Sequence, residues 1–227
     1  MKHISILTGA GISAESGVKT FRDHDGLWEG HEVMQVATPQ GFQNNPELVL
    51  DFYNQRRRQL KTVDPNLAHR RLVDLEEAYE VDIITQNVDD LHERAGSSNI
   101  VHLHGELMKV RSVNDESLIY EWTEDLKLGD VNSESHQLRP QVVWFGEAVP
   151  MMEEAIKIIQ VTDIIIIVGT SMQVYPAAGL IDFAPEQTPI YFIDPNPNIS
   201  GSKQIEIFAE KASTGVDKVV SKLLNQP

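Results

Sequence analysis

The sequence predicts an α/β fold in which helices cover both faces of a doubly wound parallel sheet. Six runs are mainly apolar and rich in β-branched residues, and they span 3–7, 81–85, 99–103, 142–145, 163–168 and 189–193. Strands that are apolar on both sides, rather than alternating, are typical of a parallel sheet buried between helices. Helical patterns lie between these runs, and this alternation predicts the doubly wound arrangement.

The helices are predicted from capping residues and from amphipathic spacing. The pairs Asn45-Pro46 and Asp64-Pro65 each put a capping side chain before a proline, as at the first position of a helix. The predicted helices span about 46–61, 65–78, 151–160 and 216–224. The last of them carries its valines and leucines on one face, which predicts that this face packs on the sheet.

Two long segments, 18–44 and 106–141, show neither the apolar runs of the strands nor the spacing of an amphipathic helix. Irregular segments of this length within a compact domain are typically binding loops, lids or small insertions. We therefore expect a single domain over residues 1–227, with cofactor or lid loops at about 18–44 and a small module inserted at 106–141.

Composition and charge narrow the class of protein. The chain has 227 residues, a formal net charge of −15 and no basic block longer than Arg56-Arg57-Arg58. This charge repels nucleic-acid phosphates but tolerates lysine-containing partners, and no apolar run is long enough to span a bilayer. We expect no nucleic-acid or membrane partner. Because the first residues carry no signal-peptide cleavage pattern, we expect a cytoplasmic protein, and a monomer is compatible with the sequence.

A glycine-rich segment, Thr-Gly-Ala-Gly-Ile-Ser-Ala-Glu-Ser-Gly at 8–17, follows the first predicted strand directly. Gly9 and Gly11 would let backbone N–H groups approach a pyrophosphate, and the following helix would turn its positive end toward the anion. Ala14 stands where the Rossmann dinucleotide motif usually has a third glycine. A plain turn between strand and helix is the other interpretation of so short a motif.

Polar segments follow three other predicted strands, at the edge where open α/β sheets bind ligands. The amides of Gln86-Asn87-Val88-Asp89 can bind ribose hydroxyls or a carboxamide, although helix capping would also use one of them. Gly169-Thr170-Ser171 can hold a phosphate or a ribose. Asp194-Pro195-Asn196 suits the ribose of an adenosine.

Two histidines end a further predicted strand. His102 and His104 are two residues apart, so their side chains point to the same face. Gly105 predicts a tight turn that leaves the ring of His104 at the sheet edge, where it could act as a general base near neutral pH. His102 better fits an ordinary structural histidine.

Together these segments resemble the sirtuins, a family of NAD-dependent protein-lysine deacylases. The resemblance extends from Met1 to about Leu224, and it is nearest to the bacterial enzymes that remove acidic acyl groups. The motifs that carry it are Gly9-Ala10-Gly11-Ile12-Ser13, Phe21-Arg22-Asp23, Thr85-Gln86-Asn87-Val88-Asp89, His102-Leu103-His104-Gly105, Trp144-Phe145-Gly146-Glu147 and Gly169-Thr170-Ser171.

The resemblance implies that NAD is a co-substrate and assigns residues to its site. Asn87 and Asp89 would hold the nicotinamide and Gln86 its ribose, while His104 would be the general base; His104 and Asn87 are the implied catalytic residues. The implied NAD-binding residues are Gly9, Ala10, Gly11, Ile12, Ser13, Ala14, Phe21, Arg22, Trp28, Gln86, Asn87, Val88, Asp89, Gly169, Thr170, Ser171, Asp194, Pro195, Asn196 and Ala212.

The resemblance also implies an acyl-lysine protein or peptide as the second substrate. The peptide would add as a strand beside Gly146-Glu147, a mode in which main-chain hydrogen bonds supply affinity with little sequence preference. Val142 or Val143 would contact the acyl-lysine amide, and Phe145 completes this part of the implied substrate site.

Tyr53 and Arg56 are three residues apart on a predicted helix, so they share a face. In desuccinylase-like sirtuins a Tyr-x-x-Arg pair binds the far carboxylate of the acyl group, for which arginine offers a forked donor. Ala37 would keep the pocket roomy. The alternative is that Arg56 merely belongs to an exposed basic run.

The chain has no cysteine, which excludes disulfides, thiolate catalysis and cysteine-based zinc sites. Sirtuins usually bind zinc through four cysteines in the segment that matches 106–141. A substitute site around His136 lacks any ligand spacing. We therefore expect this module to fold without metal, through apolar contacts of Leu118, Ile119, Tyr120 and Trp122.

The implied activity is the NAD-dependent removal of acyl groups from lysine, with succinyl and malonyl preferred to acetyl, and with nicotinamide and O-acyl-ADP-ribose as products. Two alternatives stay open, ADP-ribosyl transfer to protein and a non-catalytic NAD-binding module. The intact Gln86, Asn87, Asp89 and His104 argue against loss of catalysis. A hydride-transferring dehydrogenase is the weakest candidate.

Overall fold

A parallel sheet organises the chain, of which this computed structural model describes residues 1–19, 27–28, 31–197, 199, 201 and 204–225. The strands in that part, β1 to β11 in chain order, are His3–Thr8, Leu27–Trp28, His31–Glu32, Glu80–Thr85, Ile100–His102, Gly105–Ser112, Ile119–Glu121, Leu138–Val142, Ile164–Val168, Ile190–Ile193 and Ile205–Phe208. The α-helices there, α1 to α8, are Ala10–Ser13, Val33–Val36, Pro39–Asn44, Pro46–Leu60, Leu67–Asp74, Leu91–Ala95, Met152–Gln160 and Ala212–Leu224. The 3₁₀ turns are Ala14–Ser16, Leu75–Glu77 and Ala177–Phe183.

The first strand, β1, lies in the middle of the sheet and is buried along its whole length. It pairs in parallel with β4 on one side and β9 on the other, and the six strands follow the order β11-β10-β9-β1-β4-β5. The remaining pairs are parallel too, so the carboxyl ends of all six strands meet at one edge. The predicted doubly wound α/β fold is confirmed, and this edge is where such sheets bind ligands.

The strands of the parallel sheet contribute side chains to two hydrophobic cores, one on each face. In β9, Ile164, Ile166 and Val168 pack with α5 and α8, whereas Ile165 and Ile167 pack with α7 on the other face. This division follows from the period of two along a strand. Each fully buried isoleucine contributes roughly 1.5–3 kcal/mol to stability, so these two cores favour strands rich in isoleucine.

One predicted strand is wrong, and one strand was not predicted. The apolar run 142–145 is not a strand of the parallel sheet, since only Val142 lies in a strand, the antiparallel β8. The sixth parallel strand is instead β11, whose short Ile-Glu-Ile-Phe sequence did not stand out. It pairs with β10 alone, and an edge strand can keep Glu206 exposed to water.

Helix starts agree with prediction at α4 but differ at α5. The Asn45 side chain accepts the Leu48 N–H at 3.2 Å and Pro46 opens α4, as predicted. The cap of α5 is Asn66, which accepts the Ala68 N–H, and not Asp64.

The segment 106–141 contains nearly all of a separate antiparallel sheet of order β7-β6-β8. Its core consists of Leu50, Val110, Leu126 and Leu138, with Phe42 and Trp122 packed against it. Ile119 and Tyr120 are 43% and 37% exposed because β7 is an edge strand, so their expected role in holding this sheet is wrong. Within the described residues, no helix combines the length and apolar character needed to cross a bilayer.

Helices α5 and α6 bring two buried histidines together. The ring centroids of His69 and His92 lie 4.9 Å apart in an edge-to-face arrangement. Within the described residues, neither ring nitrogen of His69 has a hydrogen-bond partner. Burial lowers the pKa of His69 to about 4 and that of His92 well below its ordinary range.

We predict that the free energy of unfolding falls as the pH is lowered from about 6.5 to about 4, and that His69→Phe removes the part of this dependence that comes from His69 while leaving the part from His92. The folded state resists a protonation of His69 that the unfolded chain accepts at its ordinary pKa of 6.5. The difference corresponds to about 3 kcal/mol across this window. Urea titrations at a series of pH values measure it. His136→Gln, at a half-buried histidine of the small module, should keep the parent slope, and an unchanged slope in His69→Phe would contradict the prediction.

Candidate active site

A cavity of about 430 Å³ lies at the carboxyl edge of the sheet, between the loops after β1, β4 and β9 and the segment 142–149. It brings together most of the predicted site residues. Those that line it are Gly9, Ala10, Gly11, Ala37, Tyr53, Gln86, Asn87, Val88, Asp89, His104, Val142, Val143, Phe145, Gly146, Glu147, Gly169, Thr170, Ser171 and Asp194.

The structure puts other predicted residues elsewhere. Ile12 and Ala212 are buried in the core between the sheet and α8. The predicted residues that do not line the cavity are Ile12, Ser13, Ala14, Arg56, Pro195, Asn196 and Ala212. Phe21 and Arg22 lie outside the described residues, and only the backbone of Trp28 is described.

The glycines after β1 serve a different purpose from the predicted one. The N–H of Gly9 donates to the Val168 carbonyl at 3.0 Å, and that of Gly11 donates to the Gly169 carbonyl at 2.8 Å. Neither N–H therefore points freely at a pyrophosphate. Glycine is required because a Cβ on Gly11 would lie 2.6 Å from the Cα of Gly169. Gly169 itself has a φ of +61°, which also favours glycine.

A buried hydrogen-bond network fixes the loop after β4. The Asn87 amide donates to the Gly9 carbonyl and to the Ser13 hydroxyl, both at 3.2 Å. Ser13 in turn donates to the Asp89 carboxylate at 2.9 Å, which gives Ser13 a supporting role behind the cavity wall. Burial raises the pKa of Asp89 to about 6, against the opposing hydrogen bonds from Ser13 and Leu91.

Gln86 joins the loop after β4 to the loop after β9, because its amide donates to the Thr170 hydroxyl at 3.1 Å. Its backbone carbonyl has a second role. It lies 3.0 Å from Nδ1 of His104. A carbonyl can only accept, so Nδ1 carries the proton and the neutral ring leaves Nε2 as a proton acceptor. Burial lowers the pKa of His104, which favours this neutral form.

The wall formed by 144–147 is anchored by a buried carboxylate. Glu147 accepts two hydrogen bonds from Arg139, at 2.6 and 3.1 Å, and one from Arg111 at 3.1 Å. It also accepts the Trp144 N–H at 2.7 Å. Burial raises the pKa of Glu147, but the hydrogen bond and the charge of Arg139 outweigh burial and lower it overall. The wall is therefore tied to β6 and β8 of the antiparallel sheet.

This chain is similar to known proteins of one family. The model of the Sir2 family matches residues 9–176. The NAD-dependent protein deacylase of Helicobacter pylori is 56% identical over 225 residues, which is 99% of this chain and 98% of that relative. The chain belongs to the Sir2 family. This membership confirms the resemblance to the sirtuins that the sequence motifs indicated.

Solved structures of Sir2 proteins superpose closely on this chain. A Sir2 homologue in complex with NAD has a TM-score of 0.88 at 37% identity, covering 98% of this chain and 90% of that chain. A Sir2 enzyme with a deacetylated p53 peptide and 3′-O-acetyl-ADP-ribose has a TM-score of 0.81 at 27% identity, covering 96% and 92%.

Helix α4 carries Tyr53 and Arg56, whose side chains have different surroundings. Tyr53 is fully buried at the cavity wall, and its hydroxyl accepts the Trp144 Nε1–H at 2.9 Å. Burial raises the pKa of Tyr53. The guanidinium of Arg56 lies 3.3 Å from the centre of the Phe52 ring and donates to the Phe52 carbonyl at 2.6 Å.

Sequence reasoning missed several residues of this Sir2-family cavity. Those that line it without having been predicted for the site are Val18, Lys19, Trp144, Val149, Val174, Tyr175 and Pro176. Trp144 had a signal, since it opens the motif Trp144-Phe145-Gly146-Glu147. No sequence signal marked Arg139, because its role depends on how β8 packs against the loop that carries Glu147.

We predict that Gly169→Ala destabilises the fold more than Gly129→Ala does. Both glycines have a positive φ, +61° and +93°, so both substitutions carry the roughly 1–2 kcal/mol cost of a left-handed alanine. Only at position 169 would the new Cβ lie 2.3 Å from the backbone nitrogen of Ile12, whereas the space around Gly129 is open. Urea unfolding should show an additional loss of about 2 kcal/mol for Gly169→Ala. Equal losses would mean that the contact between the loops is not tight.

Proposed function

We propose that this chain is an NAD-dependent protein-lysine deacylase, which converts NAD, an acyl-lysine and one water into nicotinamide, free lysine and O-acyl-ADP-ribose. The observation that carries the proposal is a single cavity that joins the ends of β1, β4 and β9 to the segment 142–147, with His104 in its wall. The relatives support it, since one is named a deacylase and the solved Sir2 structures hold NAD, or a deacetylated peptide with an acetylated ADP-ribose.

NAD fits the chemistry of the cavity. A volume of about 430 Å³ is in the range of small-molecule sites, and the close packing of Gly9 and Gly11 on Gly169 keeps side chains out of its floor. We assign the nicotinamide end to Asn87 and Asp89, and the adenosine half to the set Gly169, Thr170, Ser171 and Asp194. When its nicotinamide leaves, NAD supplies an electrophilic ribose carbon for the oxygen of the acyl group.

His104 supplies the base in this proposal. Its Nδ1–H is held by the Gln86 carbonyl, so Nε2 can take a proton from a ribose hydroxyl. The buried side chains of Ala37, Val142 and Trp144 exclude water from the reacting end of the cavity. A dry wall is what a reactive, positively charged ribose centre requires.

An acyl-lysine protein or peptide is the proposed partner, and the segment 143–147 limits how it pairs. The N–H groups of Val143, Phe145 and Glu147 donate to the carbonyls of His104, Ala37 and Trp144. Gly146, with a φ of +90°, has no such backbone partner among the described residues. We therefore propose that an added peptide strand pairs with Gly146 and with carbonyls of this segment, by β-augmentation.

We propose that acidic acyl groups are preferred to acetyl groups, and that the far carboxylate meets Tyr53 and Arg56. Tyr53 lines the cavity beside Ala37, and Arg56 lies one helical turn further along α4. The present contact of Arg56 with Phe52 keeps the guanidinium out of the cavity lining, so recognition requires this side chain to turn toward Tyr53.

We expect Arg56→Met to lower kcat/KM for a succinyl-lysine peptide about 10- to 100-fold and to leave an acetyl-lysine peptide within about twofold. A hydrogen bond to a charged group contributes roughly 1.5–3 kcal/mol, and only the succinyl group has the carboxylate. Product formation from the two peptides, followed by mass spectrometry, gives both constants.

The matched control is Arg58→Met, an exposed arginine of the same run that pairs with Asp51 and Asp125. It should behave as the parent toward both peptides. Equal losses for both peptides in Arg56→Met, or faster acetyl than succinyl removal by the parent, would refute the proposed preference.

We expect kcat/KM to fall at acid pH with a midpoint below 6.5, because His104 must be neutral to accept a proton and burial lowers its pKa. The Asp89→Asn variant identifies any contribution of Asp89 to this profile, because the pKa of Asp89 is raised to about 6.

His104→Tyr should lower kcat/KM about 10²- to 10⁴-fold with both acyl groups, while calorimetry should still show NAD binding. An acid midpoint above 6.5, or a loss of less than tenfold, would be incompatible with the assigned base.

A further inference from the structure

Two histidines at the end of β5 hold two successive carbonyl groups of the neighbouring loop. Nδ1 of His104 lies 3.0 Å from the Gln86 carbonyl, and Nδ1 of His102 lies 3.1 Å from the Asn87 carbonyl. The pairing of β4 with β5 in register, with Thr85 opposite His102, brings the two side chains beside this loop. His104 has the role of base in the proposed function, whereas His102 has no role there.

The second nitrogen of His102 separates it from His104. Nε2 of His102 lies 2.6 Å from a carboxylate oxygen of Glu93 on α6. Carbonyl and carboxylate oxygens can only accept, so both ring nitrogens must donate and the ring is an imidazolium. Burial lowers the pKa of His102, but the hydrogen bond and charge of Glu93 outweigh burial and raise it overall. The ring is thereby fixed at both ends.

Further charged groups lie close to this ring. Glu106 and Lys109 of β6 form the next ion pair, at 2.9 Å, and Lys109 also lies 3.7 Å from Glu121 of β7. Glu93, His102 and Glu106 are close enough to hold a metal ion. All three already have a partner of opposite charge, since His102 pairs with Glu93 and Glu106 pairs with Lys109, so we infer an ion-pair network.

What His102 holds is the segment assigned to the nicotinamide. The Asn87 N–H donates to the Thr85 hydroxyl, its amide donates to Gly9 and Ser13, and its carbonyl accepts from His102. Removing the last of these contacts leaves a buried carbonyl without its donor. The peptide plane between Asn87 and Val88 can then rotate, and the Asn87 amide and the Asp89 carboxylate lie on either side of it.

We propose that His102, oriented by Glu93, is a positioning residue that holds Asn87 and Asp89 in place for the nicotinamide end of NAD. The inference rests on the proposed function, because it takes the assignment of Asn87 and Asp89 from there. His102 lies outside the cavity lining, so its effect passes through the backbone of Asn87.

Four variants test the proposal through the KM for NAD, the KM for an acyl peptide and the inhibition constant of nicotinamide. His102→Leu removes both contacts, and His102→Asn keeps a donor at the position of Nδ1. Glu93→Gln can donate its amide to a neutral His102 and so keeps the ring oriented, whereas Glu93→Leu cannot. The control is Glu154→Gln, an exposed residue of α7 whose partner is Lys157.

We expect His102→Leu and Glu93→Leu to raise the KM for NAD and the inhibition constant of nicotinamide about tenfold, as for loss of a buried hydrogen bond. The KM for the peptide should stay within about twofold. His102→Asn and Glu93→Gln should recover most of the loss, and Glu154→Gln should match the parent. A merely structural role would lower the melting temperature without separating the two KM values.

Three results would overturn the proposal. The first is an unchanged KM for NAD in both leucine variants, and the second is an equal effect of Glu93→Gln and Glu93→Leu. The third is a loss of activity on dialysis against EDTA that Zn²⁺ restores, which would replace the ion pair by a metal bridge. Asn87→Ala separates the inference from the proposed function: if Asn87→Ala leaves the KM for NAD unchanged, the assigned site is wrong, whereas an effect of Asn87→Ala without one of His102→Leu refutes only the role of His102.

Discussion

The close contact between the loops after β1 and β9 is the constraint on which the rest of this site depends. These strands are neighbours, and their loops meet with Gly11 and Gly169 so close that neither position has room for a Cβ. The contact is reinforced by the hydrogen bond from the Gly11 N–H to the Gly169 carbonyl. It removes side chains from the floor of the cavity and brings Thr170 within reach of Gln86. A flat floor of backbone is what a long dinucleotide requires.

A second constraint sets the opposite wall. Glu147 is bound by Arg139 and Arg111, and the Arg139 guanidinium lies 3.3 Å from the centre of the Trp144 ring. A buried ion pair adds little net stability, since desolvation offsets the attraction, but removing one partner is costly. Its effect here is geometric, because it ties the antiparallel sheet to residues 144–147, which line the cavity. Cysteine-bound zinc is chemically excluded in this chain, and here two arginines of the antiparallel sheet hold the 144–147 wall.

Much of the fold and the site could be predicted because the signals are local. Apolar runs marked β1, β4, β5, β9 and β10, and motifs at strand ends marked most of the cavity lining. Long-range packing decided the rest. The Gly9 and Gly11 N–H groups are taken by Val168 and Gly169, more than 150 residues away in the chain, so no local pattern could have assigned them. The orientation of Arg56 over Phe52 is likewise a property of the packed helix, whereas its spacing from Tyr53 is not.

His102 and His104 lie at the end of one strand but differ in protonation, since His102 is charged and His104 is neutral. Both rings are largely buried and both donate Nδ1–H to a carbonyl of the same loop. The difference comes from the other nitrogen, which in His102 lies 2.6 Å from Glu93, whereas His104 lines the cavity. The sequence His-Leu-His-Gly cannot reveal this, because Glu93 comes from α6. A charged ring with its own carboxylate stays neutral overall as a unit, so it can fix the loop beside an uncharged base without repelling a positive centre in the cavity.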